Sequence, residues 1–266
     1  MARTYDPSSV LLDGRVAVVT GAGRGIGRAT ATLLARFGAS VALCDRVPEW
    51  LAAGAEEVAA EGRDVLSREL DVRDHDAARG WIDEVGERFG HLDVLVNNAG
   101  GSFFASFADV NAKGEAMLIN ENFTQVTNLI RASIPHMAAG SSIINITSSE
   151  AHQAAPGFAI YAAMKAGLAS LTRSLALELA PAGIRVNAIA PDAVPTDGEA
   201  GSRDEMLAAG PRFDPVRMPP VGELGTSDDV AAVAVFLAGD LSRFITGTTL
   251  HADGGIWAAG GWRLQV

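Results

Sequence analysis

The distribution of hydrophobic positions divides the chain into two alternating kinds of segment. Short runs of apolar and β-branched residues, typical of buried strands, occur at residues 16–20, 40–44, 65–70, 94–97, 143–146, 185–189 and 248–251. Longer stretches with helical periodicity occur near residues 26–37, 49–60, 75–88, 109–138 (expected to be interrupted), 158–180 and 227–238. Strands that are apolar on both faces suit a parallel sheet with helices on each side. The pattern predicts a single doubly wound α/β domain over residues 1–266, with about seven parallel strands.

Two stretches interrupt this alternation. Residues 191–225 hold six of the eleven prolines and show periodicity only at 203–209, which predicts a short helix. A connection this long inside a compact domain is usually functional or disordered, so we interpret it as a lid over a binding cleft, with a flexible insertion as the alternative. The other stretch is the apolar, glycine-rich tail at residues 256–266, which contains Trp257 and Trp262. Exposed tryptophans favour burial, either on the domain itself or against a neighbouring subunit.

Composition and charge narrow the class of protein. The 266 residues, 48% hydrophobic and 20% charged, are typical of a globular domain. The net charge of −11 disfavours nucleic acid and anionic membranes as partners, because both attract basic surfaces. The sequence shows neither a long apolar run nor a secretory leader, so we expect no membrane association and a cytoplasmic location. Cys44 is the only cysteine, which excludes an internal disulfide and a cysteine-based zinc site, and no metal is expected.

A glycine-rich segment lies between the first predicted strand and the first predicted helix. It reads Thr20-Gly21-Ala22-Gly23-Arg24-Gly25-Ile26-Gly27. Glycines here permit a tight turn and close backbone approach, and the unpaired N–H groups of a helix N-terminus attract a pyrophosphate. Glycines also serve ordinary tight turns, so it is the placement between a strand and a helix that indicates a dinucleotide site.

The end of the second predicted strand bears on the choice of dinucleotide. Asp45 stands there, where a carboxylate accepts hydrogen bonds from an adenosine ribose and repels a 2′-phosphate. Arg24 and Arg46 favour the opposite choice, because either guanidinium could bind that phosphate. A carboxylate in the ribose pocket disfavours NADP more than a nearby arginine disfavours NAD. We therefore expect NAD to be the cofactor.

Tyr161 and Lys165 form the most informative pair in the chain. Residues at i and i+4 share one face of a helix, so the ammonium of Lys165 is expected beside the phenol of Tyr161. Moving the pKa of a tyrosine from about 10 to about 7 takes roughly 4 kcal/mol. One positive charge about 4 Å away supplies about that amount at an effective dielectric constant of about 20. The pair is sufficient for acid–base catalysis, although two such residues can also meet by chance on a helix surface.

Several short motifs together resemble a known enzyme family. They are Gly25-Ile26-Gly27, Asn97-Asn98-Ala99-Gly100 after the fourth predicted strand, Ser148, and Tyr161 with Lys165. In their order and spacing, over residues 13–255, they are similar to the classical short-chain dehydrogenase/reductase family. The resemblance implies a Rossmann-type domain, hydride transfer with a nicotinamide cofactor, and a homo-oligomer, commonly a tetramer.

The resemblance also implies roles at the active site. Asn122 would hold a water in a proton relay, and Ser148 would polarise the substrate oxygen. Tyr161 would donate or accept the proton. Lys165 would lower the pKa of Tyr161 and bind the nicotinamide ribose. Ser148 is preferred over Ser149 on spacing alone.

A larger set of residues is expected to bind the cofactor. Its members are Gly21, Arg24, Gly25, Ile26, Gly27, Asp45, Asp71, Val72, Asn98, Ala99, Gly100, Tyr161, Lys165, Pro191 and Thr196. By resemblance, Asp71 and Val72 would border the adenine, and Thr196 would contact the nicotinamide amide. The chain departs from the family at Pro191-Asp192, where Pro-Gly is common, so an acidic residue replaces a flexible turn.

The substrate pocket is harder to predict. The residues after Ser148 that could line it, or could lie in a solvated loop, are Glu150, His152 and Gln153. Three phenylalanines after Gly100 either wall an apolar pocket or pack in the core; they are Phe103, Phe104 and Phe107. These aromatic residues and the tail favour a bulky apolar substrate.

The sequence thus predicts an NAD-dependent oxidoreductase that interconverts a secondary alcohol and a ketone, with Tyr161 as general acid and base. The substrate would be a small molecule, with a bulky apolar or alicyclic, steroid-like alcohol favoured. One alternative is an NADP-dependent reductase of 3-oxoacyl thioesters, against which Asp45 argues. A second is a non-catalytic dinucleotide-binding sensor, which would have no use for the four residues of the predicted active site.

Overall fold

A computed structural model describes residues 5–196 and 218–260. Its strands are β1 Val16–Thr20, β2 Ser40–Asp45, β3 Val65–Glu69, β4 Leu92–Asn97, β5 Met137–Ile146, β6 Arg185–Pro191 and β7 Thr249–Ala252. They form one sheet in the order β3-β2-β1-β4-β5-β6-β7, and every neighbouring pair is parallel. The predicted doubly wound α/β fold is confirmed.

Helices cover both faces of this sheet. They are α1 Gly25–Arg36, α2 Pro48–Ala60, α3 His75–Phe89, α4 Ala112–Ile119, α5 Gln125–Ser133, α6 Ala159–Leu179, α7 Ser227–Ala238 and the short α8 Ile256–Ala259. Local residues fix several helix ends. Asp74 accepts a hydrogen bond from Ala77 N at the start of α3, and Thr226 forms a reciprocal capping box with Asp229 at the start of α7.

Successive side chains along each strand point to opposite faces of the sheet, so the core is divided into two layers. On β1, Ala17 and Val19 pack into one layer, and Val16 and Val18 pack into the other. The first layer is closed by α1, α2 and α7, and the second by α3, α5 and α6. Because both faces of the central strands are buried, their sequences are almost continuously apolar, which is why the pattern predicted them well.

The strand order reverses between β1 and β4, which are neighbours in the sheet. In open parallel sheets, ligands bind at the carboxyl ends of the strands beside such a reversal. The glycine-rich segment follows β1, Asn98 follows β4, and Ser148 lies just after β5. The topology therefore brings these predicted site residues to one edge of the sheet.

The structure differs from the prediction mainly between residues 109 and 146. The predicted helix is interrupted by a π-helical turn, Asn120–Thr124, between α4 and α5. It ends at Ser133, before a 3₁₀ turn that contains Pro135, and β5 already begins at Met137. The first residues of β5 are exposed, so the hydrophobic pattern detects only its inner half.

Most of the predicted lid, including the expected helix at 203–209, lies outside the described residues, as does Trp262 of the tail. The two ends of the lid region are joined to each other, because Gly225 N donates to the Ala193 carbonyl over 3.1 Å. The second end is also joined to the segment after β7, where Val221 N donates to the Gly254 carbonyl over 3.2 Å. The first part of the tail forms α8.

Three further observations concern the described parts of the chain. Among their helices, none combines the length and the apolar character needed to cross a membrane. Within the same residues, no cluster of three or more His, Cys, Asp or Glu side chains could hold a metal ion. Cys44 is fully buried in β2, and burial raises the pKa of its thiol, as expected for an inert side chain.

Candidate active site

Tyr161 and Lys165 lie in the first turns of α6. Lys165 is only 4% exposed, and its Nζ lies 5.6 Å from the centre of the Tyr161 ring. The ammonium donates a hydrogen bond to the carbonyl of Ile146, at the end of β5, over 2.8 Å. Burial lowers the pKa of Lys165 to about 8, although the charges of Glu121 and Glu150 oppose this shift. The predicted pair is thus present, with its cation buried and held on the sheet.

Asn122 is fully buried in the π-helical turn between α4 and α5. Its Nδ2 donates to the carbonyls of Gly101 (2.8 Å) and Leu118 (3.0 Å), and its Oδ1 accepts from Gly101 N (3.3 Å). Both amide hydrogens are therefore used, and one lone pair of Oδ1 is what the side chain could still offer a water.

Gly100 lies next to the side chains of both Asn122 and Lys165. A Cβ atom added to Gly100 would lie 2.9 Å from Asn122 Oδ1 and 3.3 Å from Lys165 Nζ. Any larger residue would crowd both polar groups. The structure thus brings Gly100, Asn122 and Lys165, which are distant in sequence, into one small buried polar region.

Ser148 and Ser149 are both buried but face different partners. Ser148 Oγ donates a hydrogen bond to the Glu150 carboxylate, and Ser149 Oγ donates to Asp192. Ser148 has an extended backbone, and the chain then enters a short 3₁₀ turn, Ser149–Ala151. It lies two residues beyond Ile146, the anchor of Lys165. The position expected to polarise the substrate oxygen is therefore linked through β5 to the buried ammonium.

Glu150 has a closer relation to this centre than the sequence indicated. Its carboxylate contacts Ser148, although the residue was predicted only to line the pocket or lie in a loop. Burial raises the pKa of Glu150, and the negative charge of Asp192 adds to that effect. The available signal was an acidic side chain two residues after the serine, in an otherwise uncharged segment.

The glycine-rich segment forms a tight turn held by Asn98 and Thr20. Asn98 Nδ2 donates to the carbonyls of Thr20 (2.9 Å) and Gly21 (3.1 Å), and Ala99 N donates to Thr20 Oγ1 (3.0 Å). At Gly27, an added Cβ would overlap the Gly21 carbonyl oxygen and Asn98 Nδ2. Only glycine fits there, because the start of α1 packs directly on the turn.

Asp45 lies beside this turn, at the carboxyl end of β2. Its Oδ2 accepts from Gly23 N and its Oδ1 accepts from Val47 N, each over 3.0 Å. Each oxygen retains acceptor capacity for a ribose hydroxyl. The two arginines that favour phosphate have other contacts. The Arg24 guanidinium lies 3.9 Å from the centre of the Trp50 ring, and Arg46 Nη1 lies 3.8 Å from a carboxylate oxygen of Glu121.

The remaining predicted cofactor residues lie around the same edge. Asp71 binds the Arg73 guanidinium, with Nε 2.9 Å from Oδ1, and this contact lowers the pKa of Asp71; Val72 is buried beside it. Pro191 ends β6, and Thr196 lies over the turn, because a Cβ added to Gly25 would be 3.4 Å from Thr196 Cγ2. A cavity of about 490 Å³ borders Arg24, Gly25 and Thr196. A turn open to close approach, acceptors at Asp45 and a buried ammonium fit a dinucleotide.

The predicted substrate contacts divide into two groups. His152 packs edge-on against His251 of β7, with ring centres 4.8 Å apart, and Trp257 stacks on His251 at 4.2 Å. This part of the tail therefore docks on its own chain, and Trp257 remains 47% exposed. Burial lowers the pKa of both histidines. Phe104 packs edge-on against Phe158, whereas Phe107 is 72% exposed and lines a small apolar cavity with Phe103.

Comparison with known proteins identifies the family. A family model described as enoyl-(acyl carrier protein) reductase matches residues 21–257. Among curated relatives, cis-4-hydroxycyclohexanecarboxylate dehydrogenase of Sinomonas cyclohexanicum is 39% identical over 251 residues, covering 92% of this chain and 97% of the relative. The 3-oxoacyl-(acyl-carrier-protein) reductase FabG of Staphylococcus aureus is 38% identical over 244 residues, covering 91% and 97%.

Solved structures agree with this result and include both nicotinamide cofactors. Carveol dehydrogenase from Mycobacterium avium in complex with NAD has a TM-score of 0.84 and 30% identity, covering 91% of this chain and 97% of that one. A short-chain dehydrogenase from Burkholderia cenocepacia in complex with NADP has a TM-score of 0.83 and 35% identity, covering 91% and 98%. The chain belongs to the classical short-chain dehydrogenase/reductase family and is one of its oxidoreductases.

Proposed function

We propose that this oxidoreductase uses NAD to interconvert a secondary alcohol and a ketone, with Tyr161 as general acid and base. The observation that carries the proposal is the buried ammonium of Lys165, held by the Ile146 carbonyl beside the Tyr161 ring. A cation in a site with little water stabilises a phenolate strongly, because little solvent screens the attraction. A structural role alone does not require a buried lysine next to a tyrosine at the edge of the sheet.

Each active-site residue has a role that its position supports. Tyr161 gives its phenolic proton to the ketone oxygen or takes it from the alcohol, and Lys165 favours the phenolate. Ser148 hydrogen-bonds to the oxygen on which negative charge develops. Asn122 holds the loop at Gly101 against α4 and offers its free lone pair to a water that replenishes the proton. The cofactor would accept the hydride as NAD when an alcohol is oxidised and donate it as NADH when a ketone is reduced.

The residues that would hold NAD are those of the cofactor set predicted from the sequence. The turn at Gly21, Gly25 and Gly27 would receive the pyrophosphate at the start of α1. Asp45 would accept hydrogen bonds from the adenosine ribose and repel a 2′-phosphate. The Glu121 carboxylate, 3.8 Å from Arg46 Nη1, also supports NAD, because its negative charge would oppose a 2′-phosphate at that guanidinium.

We also propose that the substrate is a bulky apolar or alicyclic, steroid-like alcohol. Two observations support this class. A relative with 39% identity is named as a dehydrogenase of a hydroxycyclohexanecarboxylate. Phe103, Phe107 and Phe158 form an apolar surface just before α6, and the cavity of about 10 Å³ between them is too small to hold the substrate itself.

A second candidate is NADP-dependent reduction of 3-oxoacyl thioesters. It is favoured by the relative of that name, which is 38% identical, and by the position of Arg24 beside the glycine-rich turn. Asp45 disfavours it. A non-catalytic sensor remains a third reading, which the buried Lys165 disfavours.

We further propose that the chain forms one domain over residues 1–266 and acts in the cytoplasm as a homotetramer without nucleic-acid or membrane partners. Exposed apolar side chains support self-association, since Phe244 is 94% and Leu177 is 78% exposed. The net charge of −11 supports the absence of nucleic acid. Sedimentation velocity of the purified protein measures the assembly directly, and a monomer would contradict it.

The test is reduced-nicotinamide absorbance with a panel of secondary alcohols and their ketones: small alcohols, cyclohexanols, hydroxysteroids and 3-hydroxyacyl thioesters. NAD and NADP are offered separately, and Tyr161→Phe is the matched control. Turnover of alicyclic alcohols with NAD that is lost in the variant is expected. Preference for NADP and thioesters would select the second candidate, and tight NAD binding without any turnover would select the sensor.

A further inference from the structure

Two carboxyl groups lie beside the serines that follow β5. Ser148 Oγ donates to Glu150, whose own N–H lies 3.4 Å from the same Oγ. Ser149 Oγ donates to Asp192, and Asp192 Oδ1 accepts from Ala193 N over 2.6 Å. The proposed chemistry uses Ser148 but assigns nothing to Glu150. A carboxyl group in contact with the serine hydroxyl nevertheless affects what that hydroxyl can do.

A serine hydroxyl has one proton, and its direction decides whether Ser148 can help the reaction. An ionised carboxylate is only an acceptor, so it takes the Ser148 proton and leaves lone pairs facing the substrate. The reacting oxygen becomes negatively charged during hydride transfer and needs a donor. A neutral carboxyl reverses the arrangement, because its O–H donates to Ser148 Oγ and the serine proton is free to turn to the substrate.

We propose that Glu150 is a positioning residue that sets the direction of the Ser148 hydroxyl proton: its neutral form directs the proton to the reacting oxygen, and its ionised form withdraws it. The proposal rests on the function proposed above, since it needs Ser148 at that oxygen. It predicts that activity depends on the protonation of Glu150 as well as on that of Tyr161.

The surroundings of Glu150 favour the neutral form. Burial and the charge of Asp192, at the end of β6, raise the pKa of Glu150. A main-chain hydrogen bond opposes this shift, as do a neighbouring serine hydroxyl and the ammonium of Lys165 on α6. Stabilisation of the neutral carboxyl exceeds these opposing contributions, so Glu150 keeps its proton at pH values where an exposed glutamate has lost it.

The first test is the pH profile of kcat for reduction of the best ketone in the panel, in wild type, Glu150→Gln and Glu121→Gln. The side-chain amide of the Glu150→Gln variant donates to Ser148 as the neutral carboxyl does and cannot ionise. We expect the wild-type kcat to fall about tenfold or more as pH rises through the pKa of Glu150, the scale of losing one donor to the reacting oxygen. This fall should be absent in Glu150→Gln.

Glu121→Gln is the matched control. Glu121 also acts on Lys165 through its charge, but Ser148 donates to Glu150. If the fall in kcat arises from the effect of these carboxylate charges on Lys165, both variants will change the fall. If it arises from the Ser148 proton, Glu121→Gln retains it. Equal profiles for wild type and Glu150→Gln would overturn the proposal, as would loss of the fall in both variants.

A second measurement needs no substrate. Subtracting the infrared titration of Glu150→Gln from that of wild type isolates the carboxyl stretch of Glu150. Ser148→Ala should raise the midpoint of this titration, because ionised Glu150 loses a donor, and an unchanged midpoint would overturn the proposal. If the wild-type protein turned over no ketone, the proposed function would be contradicted instead. The shift of the infrared titration midpoint in Ser148→Ala would then test, without any activity, whether Ser148 donates to Glu150.

Discussion

The site has a cofactor side, around the glycine-rich turn, and a reaction side, around Tyr161 and Lys165, and the two are built by different kinds of contact. Around the glycine-rich turn, the contacts are mostly to backbone groups, and the shape depends on the lack of a side chain at Gly27. Around Lys165, the shape depends on polar side chains buried against one another and against the end of β5. Substitutions in the turn itself should act through space and those around Lys165 through charge or a lost proton donor, with Asp45 as the charged exception on the first side. Four experiments test this difference.

Tyr161→Phe should have the largest effect. The variant removes one hydroxyl and keeps the ring beside Lys165. We expect kcat to fall by about 10²- to 10⁴-fold, the usual contribution of a general acid or base. Affinity for NAD, measured by fluorescence titration, should change by less than about tenfold, the scale of one hydrogen bond. A kcat close to that of wild type would mean that Tyr161 is not the general acid and base.

Lys165→Met should change how stability depends on pH. Burial lowers the pKa of Lys165 from 10.5 to about 8. Below pH 8 the lysine is charged in both states, and its burial penalty is constant. Between about 8 and 10.5 the unfolded chain binds more protons than the folded one, so the free energy of unfolding rises with pH, by at most about 3 kcal/mol.

The measurement is urea unfolding of wild type and Lys165→Met across this pH range. The difference between the two free energies should grow in favour of wild type as pH increases. The variant also leaves the Ile146 carbonyl without its donor, which adds a loss that does not depend on pH. Parallel curves would mean that the ammonium is not desolvated.

Gly27→Ala tests the cofactor side. The new methyl group would overlap the Gly21 carbonyl and Asn98, so we expect a loss of about 1–3 kcal/mol in the free energy of unfolding and weaker NAD binding. Gly80→Ala in α3 is the matched control, because nothing lies within 4 Å of the added Cβ. There the same change should stabilise the helix by about 0.5–1 kcal/mol. Equal effects at both sites would contradict the role of close packing at Gly27.

Asp45→Asn should have the smallest effect on turnover and act chiefly on cofactor choice, besides the loss of one of the two backbone hydrogen bonds that Asp45 accepts. Removing the charge should raise kcat/KM with NADP relative to NAD by about tenfold, equivalent to about 1.4 kcal/mol. The control is Asp64→Asn, which removes the same charge from an exposed residue just before β3, at the opposite edge of the sheet from Asp45. The ratio should not change in that control. A similar shift in both would indicate a general electrostatic effect of the acidic chain.

The sequence predicted the features that depend on local patterns. Continuous apolar runs located the strands, and the spacing of Tyr161 and Lys165 placed the lysine beside the tyrosine on α6. It could not predict the π-helical turn at Asn122, because one extra residue barely alters helical periodicity. Contacts between distant residues were also missed. The stacking of Trp257 on His251 and the pairing of Ser149 with Asp192 arise only when β5, β6 and β7 lie side by side.

The hydrogen bond from Lys165 to the Ile146 carbonyl also ties the first turns of α6 to a central strand of the sheet. Local opening of this helix would break that bond and expose a buried ammonium together with the core beneath it. Such an opening is close to unfolding of the whole protein, so the amide hydrogens around Lys165, past the unbonded first turn of α6, should exchange slowly with solvent. On heating, the protein should keep its activity up to the unfolding transition, because Lys165, the residue proposed to favour the Tyr161 phenolate, also holds α6 on the sheet.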